Sequence, residues 1–252
     1  MRKFFIIIFT FLICLHPLFA AVDSDVQNLF HQGNEAYLAR DFKKAIEIYT
    51  NLEKKGVQSG DLFYNLGNTY YRTGRTGWAI YYYLKALRLD PRDRDFVANY
   101  RYVLSKRVDQ FEASVSNKVF QTFFFFNHYI TFKELAIITL IFHFTFFILL
   151  ALRIFRGKTS LTIAVFVIGV LNFILFSSTV AKFYTSRVQI RGVVVTSSVP
   201  VYSEPTEKSI KLFDLHEGTI GEITDQIKDF LRIRLPDGKV GWMEKEDIQE
   251  IK

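Results

Sequence analysis

The side chains best placed to do chemistry in this chain are carboxamides and aromatics, not acids, bases or nucleophiles. Asn34, Tyr37, Tyr64, Asn65, Asn68, Tyr71 and Arg72, with Asn99, take inward positions on helices expected to share one groove. A carboxamide offers both a donor and an acceptor, so a row of them can hold the backbone of an extended peptide whatever its sequence. Ordinary solvated polar residues are the plainer reading of any single Asn, and their common direction favours peptide binding. The chain carries no His-Glu-x-x-His, phosphate-cradling glycine loop, nucleophile elbow or Cys/His pair. Acidic pairs such as Asp93/Asp95 and Glu244/Glu246 lie in charged stretches with no apolar wall to raise a pKa. His216 beside Glu217 lacks a third ligand at metal-binding spacing. Neither an enzyme, a metal nor a cofactor is expected.

A groove of that kind needs stacked helices. Gly33 and Gly67 lie 34 residues apart, as do Ala45 and Ala79, and Tyr49 and Tyr83. In the second unit Phe63, Leu66, Gly67, Tyr70, Ala79, Tyr83, Ala86 and Pro91 take all eight spacings of the tetratricopeptide pattern. Gly67 and Ala79 let two helices cross closely, the aromatics fill the wedge between them, and Pro91 stops the second. The first unit keeps Leu29, Gly33, Ala45 and Tyr49, with Gln32 where Leu is usual. Arg94 to Arg107, with Phe96, Val97, Tyr100, Val103 and Leu104 on one stripe, predicts a capping helix. Residues 22–110 are thus expected to form an all-α solenoid. Asn34 and Asn65 stand where the carboxylate-clamp variety of this repeat keeps asparagines. Phe30, Asp95 and Asn99 replace its basic partners, which argues against capture of a terminal carboxylate.

Two apolar segments, 135–152 and 161–181, are each long enough to cross a bilayer, which needs about 20 helical residues. Residues 153–160 between them carry Arg153, Arg156 and Lys158 and read as a tight basic loop on the cytoplasmic side. Upstream, Met1-Arg2-Lys3 followed by apolar Phe4 to Leu15 reads as a signal peptide over 1–20, cut after Ala20, with an uncleaved signal anchor as the alternative. Both readings export the chain from residue 22 onward. The helical module and the C-terminal module then share the outer side of an inner membrane, the periplasm in a didermal bacterium. Residues 111–134, with the Phe123 to Phe126 run, predict an amphipathic stretch lying in the membrane interface, a ligand pocket being the alternative. His143 and Asn172 fall inside the two spans and are expected to hydrogen-bond to each other or to a partner helix. Without an Asp or Glu in either span, a proton relay has too few members. The only cysteine is Cys14, in the signal segment, so the exported part has no disulfide.

Period-two apolar runs take over in residues 185–252: Val193 to Val195, Val199 to Tyr202, Ile210 to Phe213, Thr219 to Ile223, Phe230 to Leu235 and Val240 to Met243. Turn signals at Glu204-Pro205, Glu217-Gly218 and Pro236-Asp237-Gly238 separate them, predicting five or six strands closed into a small all-β barrel. Val201 to Pro205, Leu215 to Thr219 and Asp237 to Trp242 resemble the motifs of a bacterial SH3 domain. That resemblance implies a groove for peptides or cell-wall stem peptides, lined by Tyr202, Phe230 and Trp242 with Glu204 at its rim. Packing of Trp242 into the barrel end is the alternative.

The net charge of +7 is spread along the 252 residues, with no basic block beside a stacking platform, so nucleic-acid binding is not expected. The architecture is that of a multi-domain membrane protein: tetratricopeptide solenoid, transmembrane hairpin, SH3-like barrel. In that order, and through Phe63 to Arg72 and Ala79 to Pro91 above all, the chain resembles the BatE proteins of the bacterial aerotolerance operon. The resemblance implies a cell-envelope scaffold beside von Willebrand-type membrane proteins and an AAA-type ATPase, acting in oxidative or envelope stress. A sensor or tether reading peptidoglycan through the SH3-like domain is the other reading.

Overall fold

A computed structural model describes residues 24–111, 129–185 and 189–251. The expected signal segment and the Phe123 to Phe126 run of the interfacial stretch lie outside the described residues. The chain forms two compact units, one ending at Val57 and the other beginning at Gln58.

The first unit is a helix pair, α1 (Ser24–Leu38) and α2 (Phe42–Lys54). Asp41 ends the turn between them by accepting from the Lys44 N–H at 3.1 Å. Ala45, Tyr49 and Leu52 are the buried stripe of α2. A side chain at Gly33 would meet the Tyr49 ring at 2.5 Å, so the aromatic fills the space that glycine leaves.

The second unit opens with the same pairing: α3 (Gly60–Arg72), capped by Ser59, and α4 (Thr76–Leu89). Leu62, Phe63, Leu66 and Tyr70 of α3 bury against Ala79, Ile80, Tyr82, Tyr83 and Ala86 of α4. Asp93 accepts from the N–H groups of Asp95 and Phe96, both at 2.9 Å, and starts α5 (Arg94–Leu104). Phe96 and Val103 are its buried residues.

Two long apolar helices come next, α6 (Phe132–Arg156) and α7 (Thr159–Phe183), each long and apolar enough to cross a membrane. They extend past the expected 135–152 and 161–181. The eight-residue loop expected at 153–160 shrinks to Gly157 and Lys158, because Arg153 and Arg156 continue the helix to its last turn. A Thr131/Glu134 capping box sets the start of α6, and Gly157, at φ 62°, its end. The helices run antiparallel: Thr139 Oγ1 lies 2.7 Å from Thr179 Oγ1, and Arg153 Nε donates to Thr162 at 3.0 Å. At the open end, Arg92, just before α5, pairs with Glu134 at 2.6 Å.

The last part is one antiparallel sheet of seven strands: β1 (Ile190–Val194), β2 (Ser198–Tyr202), β3 (Lys211–His216), β4 (Ile220–Ile227), β5 (Phe230–Arg234), β6 (Val240–Glu244) and β7 (Ile248–Ile251). Their order is β3-β2-β6-β5-β4-β1-β7. The expected closed barrel is therefore corrected. The sheet curls around a single core of Val194, Val199, Val201, Leu215, Leu231, Ile233, Leu235, Met243 and Ile248, but β3 and β7 remain its edges. Ladder continuity is thinnest between β2 and β6, which meet only at Tyr202 and Trp242. The chain's last strand is spent doubling back on β1 after a short 3₁₀ turn at Lys245–Asp247, so it does not reach β3.

Candidate functional site

In each helix pair one of the predicted asparagines has a partner inside the fold. In the first unit the Tyr49 hydroxyl donates to Asn34 Oδ1 at 2.7 Å. In the second, Tyr83 donates to Asn68 Oδ1 at 2.6 Å. Both tyrosines are 1% exposed, and a buried phenol needs an acceptor, so the residue after each glycine supplies it. Tyr37, also in the first unit, packs edge-on against Phe42 at 5.6 Å.

Within the second unit, α3 and α5 meet along a ladder built from the other predicted residues. Tyr64 stacks on Phe96 at 4.8 Å. One turn on, Asn99 Nδ2 donates to Tyr64 Oη at 2.8 Å and to Asn68 Oδ1 at 2.9 Å. One turn further, Tyr71 meets Tyr102 edge-on at 5.8 Å, and their hydrogen bond, ahead of burial, raises the Tyr71 phenol above its ordinary value. Tyr64, Asn68, Tyr71 and Asn99 are thus brought together, as a seam that clamps the capping helix. Asn68 Oδ1 therefore accepts from two donors, the Tyr83 hydroxyl and Asn99 Nδ2. Half-buried Asn65 and exposed Arg72 stand beside this seam on α3.

Sequence reasoning missed the contact that ties the helices to the sheet. Asp109, just past α5, accepts from the His216 N–H at 2.7 Å and from Thr219 Oγ1 at 2.6 Å. Its other oxygen lies 2.9 Å from His216 Nδ1, which carries the proton because a carboxylate only accepts. Glu217 accepts from the Gly77 N–H in the first turn of α4 at 3.1 Å, adding negative charge at a helix start. Phe111 packs against the sheet's core. A Cβ on Gly77 would come within 2.4 Å of the Val194 carbonyl and 2.9 Å of Val195 Cα, both backbone atoms with no room to yield. Gly77→Ala is therefore expected to lose about 1–3 kcal/mol in thermal unfolding, against the roughly 1 kcal/mol that alanine alone favours in a helix.

On the sheet, Tyr202 pairs directly with Trp242, and Trp242 with Arg232. Phe230 lies opposite Glu244, two residues along the same ladder. By the alternation of strands all five share the face opposite Val201, Leu231 and Met243 of the core. Tyr202, Phe230 and Trp242 are so assembled, with Arg232 and Glu244 as unforeseen neighbours. Glu204 is exposed in the turn after β2, and Trp242 is only 9% exposed. Burial first, then repulsion by Glu207, Asp247, Glu246 and Asp229, raises the Glu244 carboxyl above its usual value.

Residues 60–93, which are α3, α4 and the turn after them, match the tetratricopeptide repeat family. The chain is therefore one that contains a tetratricopeptide repeat, a fold that generally mediates protein–protein interaction. No curated protein is significantly similar to it. Among solved structures, an NlpC/P60 family protein from Bacillus cereus ATCC 10987 aligns at 21% identity over 29% of this chain. The alignment spans 23% of that protein's length with a TM-score of 0.22, too low to bear on fold or function.

Proposed function

We propose that the chain is a non-catalytic scaffold of the cell envelope, held in the inner membrane by the α6–α7 hairpin and presenting its helical repeat to segments of partner proteins. The observation that carries this reading is the triple tie in the second unit. Asp109 and Glu217 bind the repeat to the sheet, and Arg92–Glu134 binds it to the base of the hairpin. Modules packed on one another occupy one compartment, which agrees with a hairpin that enters and leaves by the same side. The likeness to BatE proteins supports placement among envelope membrane proteins on the periplasmic face, with the sheet as an SH3-like module.

The test is capture in intact cells. A photo-crosslinker at Asn65 is expected to trap one or a few membrane proteins. Arg72→Ala, a change at an exposed residue, should cut that yield severalfold without altering the circular dichroism of the purified chain. Undiminished capture counts against the groove. Sedimentation of the chain with purified cell wall, lost on Tyr202→Ala, would move the assignment to peptidoglycan reading.

A further inference from the structure

The seam between α3 and α5 is charged at both ends, with opposite signs. Its contacts advance in step along the two helices: Tyr64 with Phe96, Asn68 with Asn99, Tyr71 with Tyr102. The helices therefore run parallel, with their starts side by side. Asp61, Asn65, Asn68 and Arg72 follow at steps of four, three and four residues, which makes one stripe on α3. Asp95, Asn99, Tyr102 and Lys106 repeat that stripe 34 residues on, along α5 and just past its end. Asn68, Asn99 and Tyr102 make the seam contacts, so both stripes border it. All four charged residues are exposed. Asp61 and Asp95 stand in the first turns of their helices. At the other end Arg72 follows Tyr71, and Lys106 Nζ lies 5.4 Å over the ring of Tyr102, which meets Tyr71. Acids at helix starts and bases at helix ends also suit the helix dipoles. The repeat does not demand them on this stripe, because the same end positions of the first unit hold Gln27 and Leu38.

We propose that this seam takes an extended segment of a partner protein that carries one basic and one acidic residue, the basic residue facing Asp61 and Asp95 and the acidic one facing Arg72 and Lys106. The inference rests on the repeat as a docking surface and names the chemistry of what docks there. Asp61 and Arg72 are 11 helical residues apart, about 16 Å at 1.5 Å per residue. An extended chain covers about 3.3 Å per residue, so the two charges of the partner stand about five residues apart. Between the poles the stripes carry amides and a tyrosine, which suit a peptide backbone of any sequence. Charge order then sets the direction of the segment, since reversal would bring acid to acid and base to base.

Charge reversal in the full chain, with the photo-crosslinker at Asn65 in intact cells, tests this. Arg72→Glu with Lys106→Glu is expected to lower the yield by roughly fivefold or more, and Asp61→Lys with Asp95→Lys by as much. Arg72→Gln with Lys106→Gln, which removes charge without adding repulsion, should give a smaller loss. Arg94→Glu with Arg101→Glu should keep most of the yield, since both residues are exposed and lie about a third of a turn off the stripe. The trapped segment, mapped by mass spectrometry, should carry opposite charges about five residues apart. Changing its acidic residue to Lys should restore capture by the Arg72→Glu/Lys106→Glu chain. A mapped segment without such charges, failure of that restoration, or an equal loss from the Arg94/Arg101 pair would each overturn the proposal. Capture that falls with Arg72→Ala but withstands the Asp61/Asp95 reversal defeats it and leaves docking at the repeat standing. A wild-type chain that traps no protein defeats both.

Discussion

An Asp109→Ala chain is expected to lose about 3–5 kcal/mol of stability at pH 7. Three donors converge on this group: the His216 amide, the His216 ring and the Thr219 hydroxyl. Hydrogen bonds to a charged acceptor contribute about 1.5–3 kcal/mol each, and those sharing one acceptor do not add in full. Thr219 is completely buried, so alanine leaves its hydroxyl without a partner and without water. The pH dependence has a definite sign. Burial raises the Asp109 carboxyl, but the hydrogen bonds from Thr219 and His216 and the attraction of the imidazole outweigh it and hold the group below its ordinary value. A carboxylate lowered in the native state stabilises it above the unfolded pKa, about 3.9 for Asp, and the contribution disappears as pH falls through the lower native value. Thermal unfolding of the full chain in detergent should therefore separate wild type from Asp109→Ala widely at neutral pH and bring the two curves together below about pH 4. A constant gap across that range would mean that the carboxylate's charge is not what ties the helices to the sheet.

How far the fold was legible depends on what produces each feature. The repeat could be read because close crossing of two helices permits few residue types, and Gly67, Ala79 and Tyr83 are among them. The ends of α6 and α7 could not be read from apolarity alone. Lys133, Glu134, Arg153 and Arg156 end the apolar run without ending the helix, and capping at Thr131 and Gly157 decides instead. The seventh strand, Ile248–Ile251, hid behind the charged Lys245-Glu246-Asp247 turn, and whether seven strands close is a property of the ladder, not of any run. Among the site residues, pattern counting read Asn34 and Asn68 as groove-lining and did not foresee that each accepts from a tyrosine hydroxyl. A signal was available, since each Asn has a Tyr 15 residues on in both units. Asp109 offered none: its partners lie 107 and 110 residues away, and no local spacing relates them.

Gly67→Ala should cost about 2 kcal/mol in thermal unfolding, although helix propensity taken alone favours the alanine by roughly 1 kcal/mol. The sign is decided by whether Tyr83 can move. A Cβ at position 67 would lie 2.7 Å from both Cδ1 and Cε1 of that ring, closer than carbon atoms tolerate. The ring is 1% exposed, tilts against Tyr64 at 5.9 Å, and is pinned at its far end by the bond to Asn68. Moving it by the required fraction of an ångström pulls its hydroxyl away from Asn68, and Asn68 is the acceptor that also holds Asn99 of the capping helix. The strain is thereby passed from the α3–α4 crossing to the α3–α5 seam. Tyr83→Phe alone should cost only about 1 kcal/mol, since Asn68 keeps its second donor, and the phenylalanine ring does not relieve the collision in the double variant. Gly67→Ala with Tyr83→Leu removes the clashing ring edge, so its loss should fall short of the sum of the two single losses by roughly 1 kcal/mol or more. Strict additivity in that cycle would show that the glycine serves the backbone and not the tyrosine. The α3–α5 seam would then stand independently of the helix crossing.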